Sequence, residues 1–150
     1  NLYLLATGTG LAPFLGVLKD PEVYERFERV ILTHGVREAK DLAYRDYIER
    51  ELPRHEHLGE LISKQLLYYP AVSREPFRNH GRLTDLMASG RMQADLGIEP
   101  LDASRDRAMI CGSPQMLADF RSLLDSRGFQ AAPRIGSPGE YVFERAFVEK

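Results

Sequence analysis

The first candidate for chemistry is the glycine-containing stretch TGTGLAP at residues 7–13, which follows a short apolar run and precedes a helix-like pattern. Glycine lets the backbone approach a ligand closely, and the amides at the start of a helix donate hydrogen bonds to anions. Pro13 suits a first helical turn, because proline lacks the N–H that would be unpaired there. The stretch therefore favours phosphate binding over a strand-to-helix turn that binds nothing.

The end of the second predicted strand bears on which nucleotide would be bound. A site selective for NAD normally has a third glycine in the loop and a carboxylate at the tip of the second strand, where it binds a ribose 2′-hydroxyl. Here Pro13 stands in the place of that glycine, and the strand ends in THGVR at residues 33–37, without an acidic residue. The pattern therefore disfavours an NAD-specific site.

A second phosphate-binding pattern is the sequence SRE at residues 73–75, which follows the third predicted strand and precedes Arg78 and Arg82. A hydroxyl donates a directed hydrogen bond to a phosphate oxygen, and a guanidinium binds phosphate as a bidentate fork. The alternative is a solvated loop without a ligand. Together with the missing carboxylate, the pattern favours a 2′-phosphate, and hence NADP over NAD.

The fourth predicted strand ends in CGSP at residues 111–114, which opens the longest amphipathic helix. Small side chains there would leave room for a flat ring. A nucleophilic role for Cys111 has little support, because no histidine is obviously placed to activate it, and a buried cysteine is the more common case. His55 and His57 form an H-x-H pair without a third ligand at suitable spacing, so we predict no metal site.

The scaffold that would position these stretches follows from the apolar pattern. Apolar runs predict strands at residues 2–6, 29–34, 66–73, 107–111 and 141–147. Helical spacing predicts helices at residues 13–19, 41–52, 83–89 and 114–126, while residues 93–106 and 131–139 are expected to be loops, the former with a possible short helix. Strands that alternate with helices indicate an α/β fold. We predict one domain over residues 1–150 with a doubly wound, five-stranded parallel sheet, helices on both faces, and ligands beyond the carboxyl ends of the strands.

Composition narrows the class of protein. The content of 43% hydrophobic and 28% charged residues is that of a soluble globular domain. A net charge of −2 argues against a nucleic-acid partner. No apolar run approaches the roughly 20 residues that a membrane helix needs. Cys111 is the single cysteine, which fits a reducing compartment, and we expect a cytoplasmic protein without a membrane partner.

Four motifs taken together resemble the NADP-binding domain of ferredoxin–NADP⁺ reductases, most closely the bacterial type that also uses flavodoxin. They are G-T-G-x-A-P after the first strand, S-R-E after the third, C-G-S-P after the fourth and E-R-A-F-V-E-K at residues 144–150. The resemblance covers essentially the whole chain in the same order. It implies a flavin-dependent oxidoreductase that binds NADP(H) and FAD and exchanges electrons with ferredoxin or flavodoxin.

The resemblance also implies roles for individual residues. The pyrophosphate would be bound by Thr7, Gly8, Thr9, Gly10 and Pro13. Arg37 would lie near the adenosine, and the 2′-phosphate would be bound by Ser73, Arg74 and Arg82.

At the nicotinamide end, the resemblance places Cys111, Gly112 and Ser113 beside the ring. It assigns the catalytic centre to Cys111, to the acidic Glu144 and to Ala146. Plant-type members end in a tyrosine that stacks on the flavin, whereas Ala146 stands in that place here. The chain continues beyond it, as in the bacterial branch, and this extension assigns Phe147 and Lys150 to cofactor binding.

The family binds FAD mainly in an N-terminal antiparallel barrel, which the 150 residues do not contain. The chain begins at Asn1, directly before a predicted strand. We therefore expect the chain to be the NADP-binding half of a longer reductase, to bind nucleotide weakly alone and not to catalyse by itself.

Two other functions remain open. One is the NADPH-binding module of a reductase component that feeds electrons to an oxygenase through an iron–sulfur domain. The chain has no cluster-type set of cysteines, so flanking sequence would discriminate this case. The other is a non-catalytic NADP-sensing module, in which Cys111 and Glu144 would be dispensable.

Overall fold

Five parallel strands form one sheet in the computed structural model, which describes residues 1–133 and 139–145, the last two by their backbone only. The strands are β1 Leu2–Thr7, β2 Val30–Val36, β3 Leu66–Val72, β4 Arg107–Gly112 and β5 Tyr141–Arg145. Their spatial order is β3-β2-β1-β4-β5. The chain thus builds outward from β1 to one edge, then returns and builds from β4 to the other edge. This reversal confirms the predicted doubly wound α/β fold.

The central strand β1 shows why apolar runs become strands here. Tyr3 and Leu5 are fully buried on one face of the sheet, and Leu4 and Ala6 are fully buried on the other. Successive side chains of a strand point to opposite faces, so a strand covered on both sides must be apolar at every position. The strand therefore lacks the polar alternation of a half-exposed sheet.

Three helices cover each face of the sheet. On the Leu4 side lie α1 Ala12–Leu18, α2 Pro21–Arg26 and α3 Gly59–Gln65. On the Tyr3 side lie α4 Leu83–Ala88, α5 Arg91–Leu96 and α6 Pro114–Ser126. Each face of the sheet therefore packs its own hydrophobic core, in agreement with the predicted helices on both faces.

The predicted helix at residues 41–52 is wrong in its geometry. The segment instead contains short 3₁₀ turns at Ala39–Asp41 and Leu52–Arg54, with a π-helical stretch at Tyr47–Glu51 between them. Tyr44 has a φ of +63°, which L-residues rarely adopt and which interrupts a right-handed helix. Its side chain is 50% exposed, although the helical pattern predicts it on the apolar face.

The sequence does not predict α2 and α3. It predicts a loop or a short helix at residues 93–106, and α5, which ends at Leu96, partly overlaps that segment. Each has six or seven residues, too short for a clear apolar period. The strand ends are otherwise close to prediction, with β2 extending two residues further, to Val36. Residues 146–147 of the predicted last strand and 134–138 of the predicted loop lie outside the described residues.

No helix among the described residues combines the length and apolar character that spanning a membrane requires.

Candidate functional site

A cleft of about 1140 Å³ lies at the carboxyl ends of the strands, where the predicted ligand site should be. Its lining includes many of the residues that the sequence assigns to a nucleotide: Thr7, Gly8, Thr9, Arg37, Ser73, Arg74, Arg82 and Ser113. These residues follow four different elements of the chain. The parallel sheet brings them together because all of its strands end at the same edge.

The glycine stretch forms a 3₁₀ turn at Gly8–Leu11 that runs directly into α1. Gly8 has a φ of +52° and no atom within 4 Å of the place where a Cβ would be. Its backbone is therefore free to lie against a ligand in the cleft, and its conformation favours glycine. Pro13 is exposed at the start of α1, outside the cleft lining, which suits the predicted first-turn position.

Gly10 has a different physical reason to be glycine. The residue is buried, and a Cβ there would lie 2.1 Å from the carbonyl oxygen of Cys111. The glycine loop after β1 is thus packed directly on the end of β4. Gly10 makes room for protein backbone, while Gly8 faces the cleft.

A buried histidine forms a hydrogen bond to the same loop. His34, on β2, is fully buried, and its Nε2 lies 2.9 Å from the carbonyl oxygen of Gly8. A carbonyl oxygen only accepts, so Nε2 carries the proton. Burial lowers the pKa of His34 from its ordinary value of 6.5, more than the bond to Gly8 raises it. Sequence reasoning missed this role; the only signal was a polar residue near the end of an apolar strand.

The loops after β2 and β3 are joined by backbone hydrogen bonds. The amide of Ser73 donates to the carbonyl of Val36 at 3.0 Å, and the amide of Arg74 donates to the carbonyl of Arg37 at 2.9 Å. Both arginine side chains are exposed and make no ion pair with any other described residue. Two guanidinium groups thus start from adjacent backbone positions at the cleft, as an anion site would require.

Arg82 is held at the same edge of the sheet by the turn that precedes α4. The amide of Gly81 donates to the carbonyl of Val72 at 2.9 Å, which brings the start of α4 beside the end of β3. The Arg82 side chain, however, forms an ion pair with Asp119 of α6, with Nη2 and Oδ2 2.8 Å apart. Gln115, which also lines the cleft, donates to the other carboxylate oxygen at 2.9 Å.

The end of β4 is tightly packed. Cys111 is buried at 3% exposure, and a Cβ on the buried Gly112 would lie 2.4 Å from Oγ1 of Thr7. Neither residue lines the cleft, whereas Ser113 does. The Ser113 hydroxyl also caps α6 by accepting a hydrogen bond from the Met116 amide at 3.3 Å. The glycine and the cap thus define where α6 begins.

The remaining assigned residues belong to the end of the chain. Glu144 lies on β5, with its Cα opposite that of Cys111. The backbone register therefore places it at the same end of the sheet as the cleft. Ala146, Phe147 and Lys150 lie outside the described residues.

Tyr44 is an aromatic residue of the cleft that the sequence did not single out. It is half exposed, in the left-handed conformation, and its carbonyl accepts a hydrogen bond from Ile48 at 2.9 Å. Strained backbone of this kind often occurs at ligand sites. Its local sequence gave no signal, because it fits an apolar helical pattern.

The described residues contain no group of three or more histidine, cysteine, aspartate or glutamate side chains that could bind a metal ion. The cleft lining offers hydroxyl, amide and guanidinium groups, which are donors suited to anions.

The sheet order and the cleft together define a doubly wound α/β domain with a cleft at the carboxyl edge of its sheet. A family model described as the oxidoreductase NAD-binding domain matches residues 4–122. The chain belongs to this family.

Sequence relatives narrow the resemblance further. The chain is 58% identical over 150 residues to a ferredoxin–NADP reductase of Pseudomonas aeruginosa and 55% identical over 150 residues to one of Azotobacter vinelandii. The whole chain is aligned in both cases, and it spans 58% of the length of each relative. These matches confirm the resemblance to the ferredoxin–NADP⁺ reductases that the motifs indicated.

A solved structure supports the same relationship. A ferredoxin NADP⁺ reductase from Neisseria gonorrhoeae, with bound FAD and NADP, superposes with a TM-score of 0.79 at 30% identity. The alignment covers 97% of this chain and 56% of that one. The cytochrome b5 reductase domain of Ulva prolifera nitrate reductase, at 20% identity and a TM-score of 0.63 over 95% of this chain and 48% of that one, shares the fold.

The packing of Gly10 can be tested by substitution. Gly10→Ala should lower the free energy of unfolding by about 1–3 kcal/mol, because the added methyl overlaps the Cys111 carbonyl and the loop must shift. Gly16→Ala is a matched control in α1, where a Cβ would meet no atom within 4 Å, and should stabilise by up to about 1 kcal/mol. Urea unfolding measures both. Equal effects of the two variants would contradict the packing described here.

The buried His34 predicts a pH dependence. Its pKa is lowered in the folded state, so the unfolded chain binds the proton more readily. The contribution of His34 to folding stability should therefore be present above pH 6.5. It should be lost as the pH falls below that value, by at most about 1.4 kcal/mol per pH unit. His34→Gln removes the titrating group, so its urea midpoint should change less between pH 7.5 and pH 5.5. Parallel profiles for the two proteins would contradict this prediction.

Proposed function

We propose that the chain is the NADP(H)-binding half of a flavin-dependent ferredoxin or flavodoxin–NADP⁺ reductase, in which it holds the nicotinamide for hydride exchange with FAD. The parent protein would supply the FAD-binding barrel, work in the cytoplasm, and pass electrons to ferredoxin or flavodoxin. The observation that carries the proposal is the group of arginines at the carboxyl edge of β2 and β3. Its chemistry suits a nucleotide with an additional phosphate.

The selectivity for a 2′-phosphate is argued from charge. Arg37 directly follows β2, at the place where an NAD-selective domain has a carboxylate. Arg74 is fixed beside it by their shared backbone hydrogen bond. These two exposed cations would bind the 2′-phosphate of NADP(H) by charge-assisted hydrogen bonds. The Ser73 hydroxyl would be a further donor. The pyrophosphate would lie on the loop at Gly8, whose backbone faces the cleft.

The adenine would pack on Tyr44. The ring is half exposed and lines the cleft, as Arg37 does, and the Tyr44 backbone is in the left-handed conformation. An adenine stacked on an aromatic ring gains about 1–3 kcal/mol. The strained conformation thus has a functional explanation in the presentation of this ring.

The nicotinamide would lie at the end of β4, near Ser113 and opposite the backbone position of Glu144. Ser113 lines the cleft at that strand end, while the Cys111 carbonyl packs against Gly10 and Gly112 packs against Thr7. Bound FAD would supply the redox chemistry by accepting or donating the hydride, and this chain contributes binding and orientation.

The first test compares 2′,5′-ADP with 5′-AMP by titration calorimetry at low salt. Wild-type chain should bind 2′,5′-ADP more tightly. Arg74→Ala should weaken 2′,5′-ADP binding about ten- to a hundredfold, as expected for the loss of one charge-assisted contact, and leave 5′-AMP nearly unchanged.

Arg50→Ala serves as the control, since Arg50 is exposed and pairs only weakly with Asp46, at 4.0 Å, away from the cleft. It should leave both affinities unchanged. Equal affinity of the wild type for the two nucleotides would overturn the proposed selectivity for NADP(H).

The Tyr44 assignment has its own test. Tyr44→Ala should weaken the binding of both adenine nucleotides about tenfold, whereas Tyr44→Phe, which keeps the ring, should bind as the wild type does. Tyr44→Asn tolerates the left-handed backbone and lacks the ring, so it separates stacking from conformation and should bind as weakly as the alanine variant. Wild-type affinity in the asparagine variant would refute the stacking role.

A further inference from the structure

We propose that Asp119 on α6 competes with the nucleotide 2′-phosphate for Arg82, and so sets how strongly the domain prefers a 2′-phosphorylated nucleotide. The inference rests on the proposed function. It adds that one of the expected phosphate ligands also pairs with the protein's own carboxylate.

The ion pair spans the cleft edge. Arg82 precedes the first turn of α4, whereas Asp119 lies in the second turn of α6, and the side chains meet at 2.8 Å. The second oxygen of Asp119 accepts a hydrogen bond from Gln115, one helical turn earlier, at 2.9 Å. Asp119 is therefore held in place on both oxygens, and the Arg82 guanidinium is drawn toward α6.

The backbone places Arg82 within reach of the other anion site. Gly81 is hydrogen-bonded to Val72, the last residue of β3, and Ser73 follows immediately. The guanidinium of Arg82 thus starts near Ser73 and points to Asp119. Arg37 and Arg74, in contrast, have no carboxylate partner among the described residues. Binding of a 2′-phosphate by all three arginines requires Arg82 to exchange its partner.

The pair is weak enough to be exchanged. The Arg82 side chain is 60% exposed and that of Asp119 is 28% exposed, so solvent screens most of their attraction. A phosphate offers more charge and more acceptor oxygens than a carboxylate. The carboxylate still opposes binding, because it must be released from Arg82 before the guanidinium can pair with the phosphate.

The opposite role for Asp119 is also physically reasonable. A carboxylate can hold a guanidinium in the orientation that a ligand requires, and its loss would then weaken binding. The two roles predict changes of opposite sign in the affinity for the same nucleotide. A single conservative substitution therefore decides between them.

The experiment is titration calorimetry of the full chain with 2′,5′-ADP and with 5′-AMP. Asp119→Asn keeps the shape and removes the charge. It should tighten 2′,5′-ADP binding about two- to fivefold, the range expected for a largely exposed ion pair, and leave 5′-AMP unchanged. Glu60→Gln is the matched control, because it removes one charge from an exposed pair with Lys64 on α3, on the other face of the sheet. It should change neither affinity.

A double-mutant cycle assigns the gain to Arg82. In the Arg82→Ala background, Asp119→Asn should no longer tighten 2′,5′-ADP binding, because no guanidinium remains for which the two anions compete. Urea unfolding of each variant shows whether the fold is retained, and Asp119→Ala replaces the asparagine variant if that one is unfolded.

The outcomes separate this inference from the proposed function. A wild type that prefers 2′,5′-ADP, with an asparagine variant of equal or weaker affinity, overturns the competition and leaves NADP(H) binding intact. A gain that persists without Arg82 also overturns it. A wild type that does not prefer 2′,5′-ADP overturns the proposed function, and this inference with it.

Discussion

The contact on which the cleft depends is the packing of the glycine loop on the end of β4. A Cβ at Gly10 would overlap the carbonyl of Cys111, so no side chain fits there. A Cβ at Gly112 would likewise overlap the Thr7 hydroxyl. These contacts join the first and fourth strands at the point where the strand order reverses. They fix the start of α1 and the start of α6 relative to each other, and so fix the two walls between which a dinucleotide would lie.

The electrostatics of the cleft are local and do not follow from the overall charge. The chain has a net charge of −2, yet Arg37, Arg74 and Arg82 all originate at one edge of the sheet. Backbone hydrogen bonds between the loops after β2 and β3 hold the first two, and the turn before α4 holds the third. The site thus combines two exposed cations with one that is already paired. Its affinity for an anion would be set by the difference between a nucleotide phosphate and Asp119 as partners of the same guanidinium.

Function would be divided between a rigid sheet and irregular segments that it supports. Both faces of the sheet are closed by hydrophobic packing, with Leu4 and Phe14 in one core and Tyr3 and Phe120 in the other. Several of the residues that line the cleft lie instead on turns and loops, and Tyr44 lies in a segment that is neither a regular helix nor a strand. Such positions can adopt unusual backbone angles because the strands on either side hold them in place.

Much of the fold and part of the site were predictable from local sequence. Short apolar runs identify strands buried on both faces, and glycines or hydroxyls after them point to the edge of the sheet where the cleft lies. The family resemblance followed from four motifs in order, each of which is a local property of the chain. Short helices such as α2 and the broken segment around Tyr44 were not predictable, because too few residues are present to show a period and because a single backbone angle is set by its surroundings.

By itself, the sequence determined the α/β class, the family and the residues that could bind a phosphorylated nucleotide. Only the tertiary structure decided which of them face the cleft, that Gly10 serves packing, that His34 supports the loop at Gly8, and that Arg82 is paired with Asp119. The physical reason is distance along the chain. Arg82 and Asp119 are 37 residues apart in sequence and meet at 2.8 Å, a contact that no local pattern of residues can specify.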